Sequence, residues 1–242
     1  MLLKLESPKL LSDIISIISE LVNEVRLKIT NEGMNLTALD PANVAMVYFK
    51  IPSDIFSQFV LEKDELLGVN LENLRSVLRR CSLGSSLTIT KEDNMLKLSI
   101  QDKIKRDFTL ALIDIESEDK DLPKWEFTSV IKMDASLFAE VIEDCLIVDD
   151  ACTFIAETSK FIIEAHGLNS SRAEFSSDEI EIYSNTAIAR FSLEYLNKFI
   201  KGAKISSRVT ISFSENSPLR VDFPTGNILL SFILAPRGEQ EN

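Results

Sequence analysis

The chain holds a single histidine, three cysteines and seven glycines in 242 residues, and each scarcity closes off a class of chemistry. His166 has no cysteine or second histidine beside it, so a transition-metal site lacks a ligand set. Its place in an alternating strand pattern predicts a structural role. Cys81, Cys145 and Cys152 are odd in number, off metal-binding spacing and in or beside apolar patterns. They read as reduced core thiols of a cytosolic protein. The glycines fall singly and give neither GxGxxG nor GxxxxGK, so a phosphate cradle built on a glycine loop is unsupported. Asp149-Asp150 and the pair Asp119 and Asp121 lack calcium-loop spacing, and no serine or cysteine stands in a nucleophile context. The expectation is a protein that is not an enzyme and carries neither metal nor cofactor.

Long apolar runs are missing too. None approaches the roughly 20 residues that span a bilayer. The N-terminal MLLKLESPKLL puts an acid and a proline where a signal peptide would keep a continuous apolar core. A cytoplasmic location with no membrane partner is expected. Bases are outnumbered, 26 Lys and Arg against 38 Asp and Glu, for a net charge of −12. That argues against binding nucleic acid through the average surface but leaves room for a local basic face.

What the chain does have is pattern. Its length suits one large domain or two of ordinary size, and 45% hydrophobic with 26% charged content is that of a soluble globular protein. Residues 9–23 predict a helix with Leu10, Leu11, Ile14, Ile15, Ile18, Leu21 and Val22 on one stripe, started by Ser7–Pro8. Further helices are predicted over 71–81, 134–145 and 193–203. The third carries Leu137, Phe138, Val141, Ile142 and Cys145 inward. Alternating runs predict strands between the helices, at 25–30, 34–39, 44–51, 65–69, 86–91, 95–101 and 105–113 in the first half. Residues 53–59 read as a short helical turn. The second half gives strands at 128–133, 152–157, 161–165, 171–175, 180–183, 187–191, 208–213, 219–223 and 228–234.

Between the halves runs IDIESEDKDLPKWEF, residues 113–127, acidic, glycine-free and broken by one proline. Such a run predicts an extended, exposed connector. Its apolar residues Ile113, Ile115, Leu122, Trp125 and Phe127 either pin it to the domains or offer themselves to a partner. The halves it joins are related. Leu71 and Leu193, Leu87 and Val209, and Leu112 and Leu234 open or sit in similar segments, each pair 122 positions apart. One shared offset over three places indicates duplication, hence two similar domains and not a solenoid. The expected class is α+β, two domains (1–112 and 128–242) of antiparallel sheets with two helices each.

GVNLENLRSVL (68–78), LDPANVAMVYFKIPSDIF (39–56), the connector's DLPKWEF (121–127) and ILAPRG (233–238) together resemble the DNA sliding clamp family, proliferating cell nuclear antigen, in its archaeal form. The resemblance runs in order along essentially the whole chain. It implies a ring of three subunits around duplex DNA, helices lining the hole and sheets outside. Such a ring tethers replicative DNA polymerase, flap endonuclease and DNA ligase, is opened by a clamp loader, and works in a prokaryotic, nucleoid-associated setting. By the same resemblance the edge strands Asp107–Leu112 and Ser171–Ser176 pair between subunits. Phe108, Leu110, Ala173 and Phe175 are then either at the joint or facing their own core. A hydrophobic pocket for a partner peptide with two aromatics would be lined by Leu39, Val44, Met46, Leu122, Phe127, Pro218, Ile233, Leu234, Ala235 and Pro236. Lys120 stands where the family often has an apolar residue, and Trp125 is a further local variation.

The hole departs from the family picture. Phosphate contacts would come from Lys9 on the first helix, Arg75, Arg79 and Arg80 on the second, and Lys198, Lys201 and Lys204 on the fourth. Against them stand Asp13, Glu20, Glu72 and Glu194. The third helix offers Glu140, Glu143 and Asp144 with no base. The four faces cancel. Either this subunit shares a ring with more basic sisters, or six bases clustered on two helices suffice. A protein-interaction scaffold with no DNA function is the rival that the acidic third helix favours.

Overall fold

The computed structural model describes residues 1–116 and 122–238. The first repeat runs β1 (Leu2–Leu5), α1 (Lys9–Ile18), β2 (Glu24–Thr30), β3 (Gly33–Leu39), β4 (Ala45–Pro52), β5 (Gln58–Val60), β6 (Glu65–Asn70), α2 (Leu71–Leu78), β7 (Ser86–Glu92), β8 (Met95–Gln101) and β9 (Lys105–Ala111). The second runs β10 (Ser129–Asp134), α3 (Ala135–Leu146), β11 (Ala151–Ala156), β12 (Lys160–His166), β13 (Ser170–Ser176), β14 (Glu181–Ser184), β15 (Ala187–Ser192), α4 (Leu193–Phe199), β16 (Arg208–Phe213), β17 (Leu219–Thr225) and β18 (Ile228–Leu234).

The duplication extends to topology. In the first repeat the strands lie as β5-β1-β7-β8-β9 and as β4-β3-β2-β6. The second gives β14-β10-β16-β17-β18 and β13-β12-β11-β15, the same two orders with every label raised by nine. The pairings are antiparallel, as in β1 with β7 and β10 with β16. Two compact units result. The described residues of Met1–Asp40, Val47–Leu122 and Gly226–Leu229 form one, and those of Pro41–Met46 and of the chain after Leu122, without 226–229, form the other.

Each helix buries one stripe. On α1 it is Leu11, Ser12, Ile14, Ile15, Ile17 and Ile18, so Ser12 lies inward and not on the polar side. The helix closes at Ile18, short of residue 23, because the amides of Glu20 and Leu21 turn to the carbonyls three residues back. Leu21 and Val22 stay buried all the same. The side chain of Asp134 caps α3, accepting from the amides of Ser136 at 2.9 Å and Leu137 at 3.3 Å. Those bonds and the Ser136 hydroxyl hold its carboxyl below the usual range. Leu137 corrects the predicted stripe, being 37% exposed. The helix over 193–203 is α4 to Phe199 and then a 3₁₀ stretch, Ile200–Lys204.

Two strands were not expected: β1, which carried no prediction, and β5, whose Gln58 and Phe59 were expected in a helical turn. They pair with each other, Leu2 opposite Val60. Only Ser53–Ile55 of the predicted turn is helical. The core of the second unit is aromatic: Phe154 packs edge-on against Phe138, Phe161, Phe191 and Phe213. Cys145 and Cys152 lie buried with their thiols hydrogen-bonded, and burial pushes the Cys152 thiol well up. His166 is not a core residue. It ends β12, 63% exposed, 3.3 Å from Glu164.

Candidate nucleic-acid and partner interface

The helices lie in pairs, α1 against α2 and α3 against α4 and its 3₁₀ extension. On α2 the side chain of Asn70 caps the first turn, accepting from the Asn73 amide at 3.0 Å. Leu71, Leu74, Val77 and Leu78 are buried, which turns Arg79 and Arg80 outward. Arg75 is less available. It is half-buried, paired with Glu72 at 2.8 Å and donating to the Ser19 hydroxyl at 3.4 Å, so it ties α2 to the end of α1. Lys9 is exposed and paired with Asp13. On α4, Lys198 lies 5.4 Å from the centroid of the Tyr195 ring and 3.8 Å from Glu194. Lys201 is half-exposed and Lys204 exposed. Glu140, Glu143 and Asp144 are all exposed on α3.

Two strands end their runs beside these helices. β9 is the last strand after β8, and β13 the last after β12. Both have seven residues. Phe108 and Leu110, opposite Leu98 and Leu96 of β8, are half-buried, as is Ala173 of β13. Phe175 is 8% exposed and stacks on Phe161 at 6.4 Å between centroids, so its ring belongs to the core of its own unit. α2 packs beside β9, where Arg106 reaches the Arg80 carbonyl at 3.4 Å, and α3 packs beside β13. A basic helix therefore flanks one edge and an acidic helix the other.

The residues expected around a peptide divide between the units. Leu39 and Leu122 belong to the first and are half-buried. Val44, Met46, Phe127, Pro218, Ile233, Leu234, Ala235 and Pro236 belong to the second. Leu234 is fully buried and is a core residue, while Met46 and Ile233 are nearly so. Ala235 is exposed, and Val44, Phe127, Pro218 and Pro236 are half-buried. The tail is pinned at several points. The Ala235 amide donates to the Val44 carbonyl at 2.9 Å and the Arg237 amide to the Arg190 carbonyl at 2.7 Å. The Arg237 guanidinium pairs with Asp150 at 2.9 Å. That hydrogen bond, with the guanidinium charge, holds the Asp150 carboxyl below its usual range. Trp125 is 37% exposed beside Phe127, ring centroids 6.1 Å apart. Lys120, Asp119 and Asp121 lie outside the described residues. Among the described residues no group of His, Cys, Asp and Glu could hold a metal ion, and no helix is long and apolar enough to cross a membrane.

The geometry agrees with known proteins. The N-terminal domain model of proliferating cell nuclear antigen matches residues 1–120, and the C-terminal domain model matches 121–238. A DNA polymerase sliding clamp of Thermococcus fumicolans is 32% identical over 242 residues, covering 97% of both chains. The clamp of Pyrococcus abyssi is 32% identical at the same coverage. The crystal structure of the Entamoeba histolytica proliferating cellular nuclear antigen shares the fold, with a TM-score of 0.91 over 98% of each chain at 22% identity. With both domain models matched end to end, the chain belongs to the proliferating cell nuclear antigen family.

Proposed function

We propose that this protein is a DNA sliding clamp: it holds a DNA polymerase on duplex DNA by encircling the duplex, and makes or breaks no bond itself. Full-length similarity to DNA polymerase sliding clamps carries this reading. Three copies would close a ring by antiparallel pairing of β9 of one subunit with β13 of the next. The joint is heterologous, so it closes only if the rotation returns on itself. Each chain has one edge of each kind, which is what such a joint requires. It would satisfy two rows of backbone groups that otherwise stand open to stray pairing. Phe108, Leu110 and Ala173 supply side-chain contact there.

The charge of the flanking helices supports the same pairing. A joint of β9 on β13 brings Arg79 and Arg80 of one subunit toward Glu143 and Asp144 of the next. The acidic third helix then serves assembly and not DNA, and cancelling charge over four faces stops being a paradox. Lys198, Lys201 and Lys204, with Lys9 and what Arg75, Arg79 and Arg80 leave exposed, would make loose phosphate contacts that allow sliding.

Polymerase, flap endonuclease and DNA ligase would dock through short peptides with two aromatics, on Val44, Phe127, Pro218, Ala235 and Pro236. A clamp loader would open the ring. Primer extension on circular single-stranded DNA, with a loader and a polymerase of this family's replication system, tests the proposal. Added clamp should lengthen the products of a single binding event, and products unchanged in length would overturn it. A second reading, an obligate subunit of a ring with more basic sisters, is favoured by a first helix whose single base is Lys9 and a third helix with none.

A further inference from the structure

We infer that the missing side chain of Gly68 anchors the connector where it leaves β9, and that this anchor supports the capture of partner peptides. The inference rests on the peptide-docking reading above. Gly68 lies in β6, the edge strand of its run, and its φ does not require glycine. Space requires it. A Cβ built there would stand 1.9 Å from the carbonyl oxygen and 3.0 Å from the carbonyl carbon of Ile113, and 3.4 Å from Ile115 Cδ1. Two of those three atoms are backbone, so no rotamer change relieves the clash. The connector itself must move.

The same contact is a bond. The Ile113 amide donates to the Gly68 carbonyl at 2.9 Å. One residue earlier, the Leu112 amide donates to the Asn94 carbonyl at 2.9 Å, and the Asn94 side-chain amide donates to the Leu112 carbonyl at 3.2 Å. The chain is thus held on both sides as it leaves β9, and its next residues lay Ile113 and Ile115 half-buried against the first unit while Asp114 and Glu116 face solvent. Phe127, a residue of the proposed docking surface, follows fourteen positions further along the same chain, so the anchor at Ile113 bears on it through the backbone. Gly68 is a positioning residue that touches no peptide.

The test compares wild type with Gly68→Ala, using amide hydrogen exchange at Ile113 and the affinity of a synthetic peptide carrying a hydrophobic turn and two aromatics. Ile113→Pro, which removes the strap's donor and leaves β6 unchanged, is the second variant should Gly68→Ala fail to fold. The expected result is loss of exchange protection at Ile113, unchanged solution mass, and peptide binding weaker by about tenfold, or roughly 1.4 kcal/mol. Peptide affinity equal to wild type in both variants overturns the inference. A wild-type chain that binds no such peptide sinks the docking reading instead. Exchange protection kept at Ile113 in Gly68→Ala overturns the anchoring whatever the peptide does.

Discussion

Asn70 caps α2 and Asp150 pins the C-terminal tail, by different means. Replacing Asn70 with alanine removes the oxygen that accepts from the Asn73 amide at 3.0 Å and should cost about 1 kcal/mol of stability, read by denaturant unfolding. Asp150 works through charge. Its carboxyl is held low by Arg237, so the stabilisation is present above the ordinary carboxylate range and is lost as the pH falls through the depressed value. Wild type should therefore melt above Asp150→Asn near neutral pH, and the gap should close on acidification. A gap independent of pH from neutrality to about pH 2 would contradict the pairing. At this scale the sequence was readable where one property decides. GVNL resolves into a glycine with no room for a Cβ, a core valine, a helix cap and a core leucine. It was unreadable where depth decides, since nothing in ILAPRG separates buried Leu234 from exposed Ala235. Leu137 fell at the rim of a stripe that periodicity cannot place to within one residue, and the histidine's alternating pattern ended at a strand tip.

Among the elements, α3 is acidic, while α4 together with its 3₁₀ extension is basic. If α4 meets DNA, then Lys198→Glu, Lys201→Glu and Lys204→Glu together should shorten the residence of the loaded clamp on circular DNA several-fold and leave its solution mass unchanged. Equal residence would remove α4 from the DNA-facing surface. If α3 serves the joint, Glu143→Lys with Asp144→Lys should raise the concentration at which the ring forms, and adding Arg79→Glu with Arg80→Glu should restore part of the loss. No change in assembly with the acids reversed would contradict the helix pairing. The amphipathic helices and long strands were legible because burial on one side repeats at 3.6 or 2 residues. β1 and β5 were not. Each is four residues or fewer, and what makes them strands is pairing at long range, Leu2 lying opposite Val60, 58 positions away, and opposite Thr90 of β7.

The whole molecule is a duplicated chain with matched strand orders and two edges, β9 and β13, whose flanking helices differ in sign. The duplication was visible as one offset of 122 positions. Pairing of the edges between copies was expected from the family resemblance alone, because such pairing leaves no period in one chain. If Arg79 and Arg80 of one copy pair with Glu143 and Asp144 of the next, salt should weaken assembly, though backbone pairing along seven-residue strands should keep the ring closed at physiological ionic strength. The most direct test is the mass in solution by light scattering, across protein concentration and salt. The account predicts a species of three chains of 27.2 kDa each, falling apart only at low concentration or high salt. A monomer at every concentration would contradict the self-closing ring and leave assembly to sister subunits.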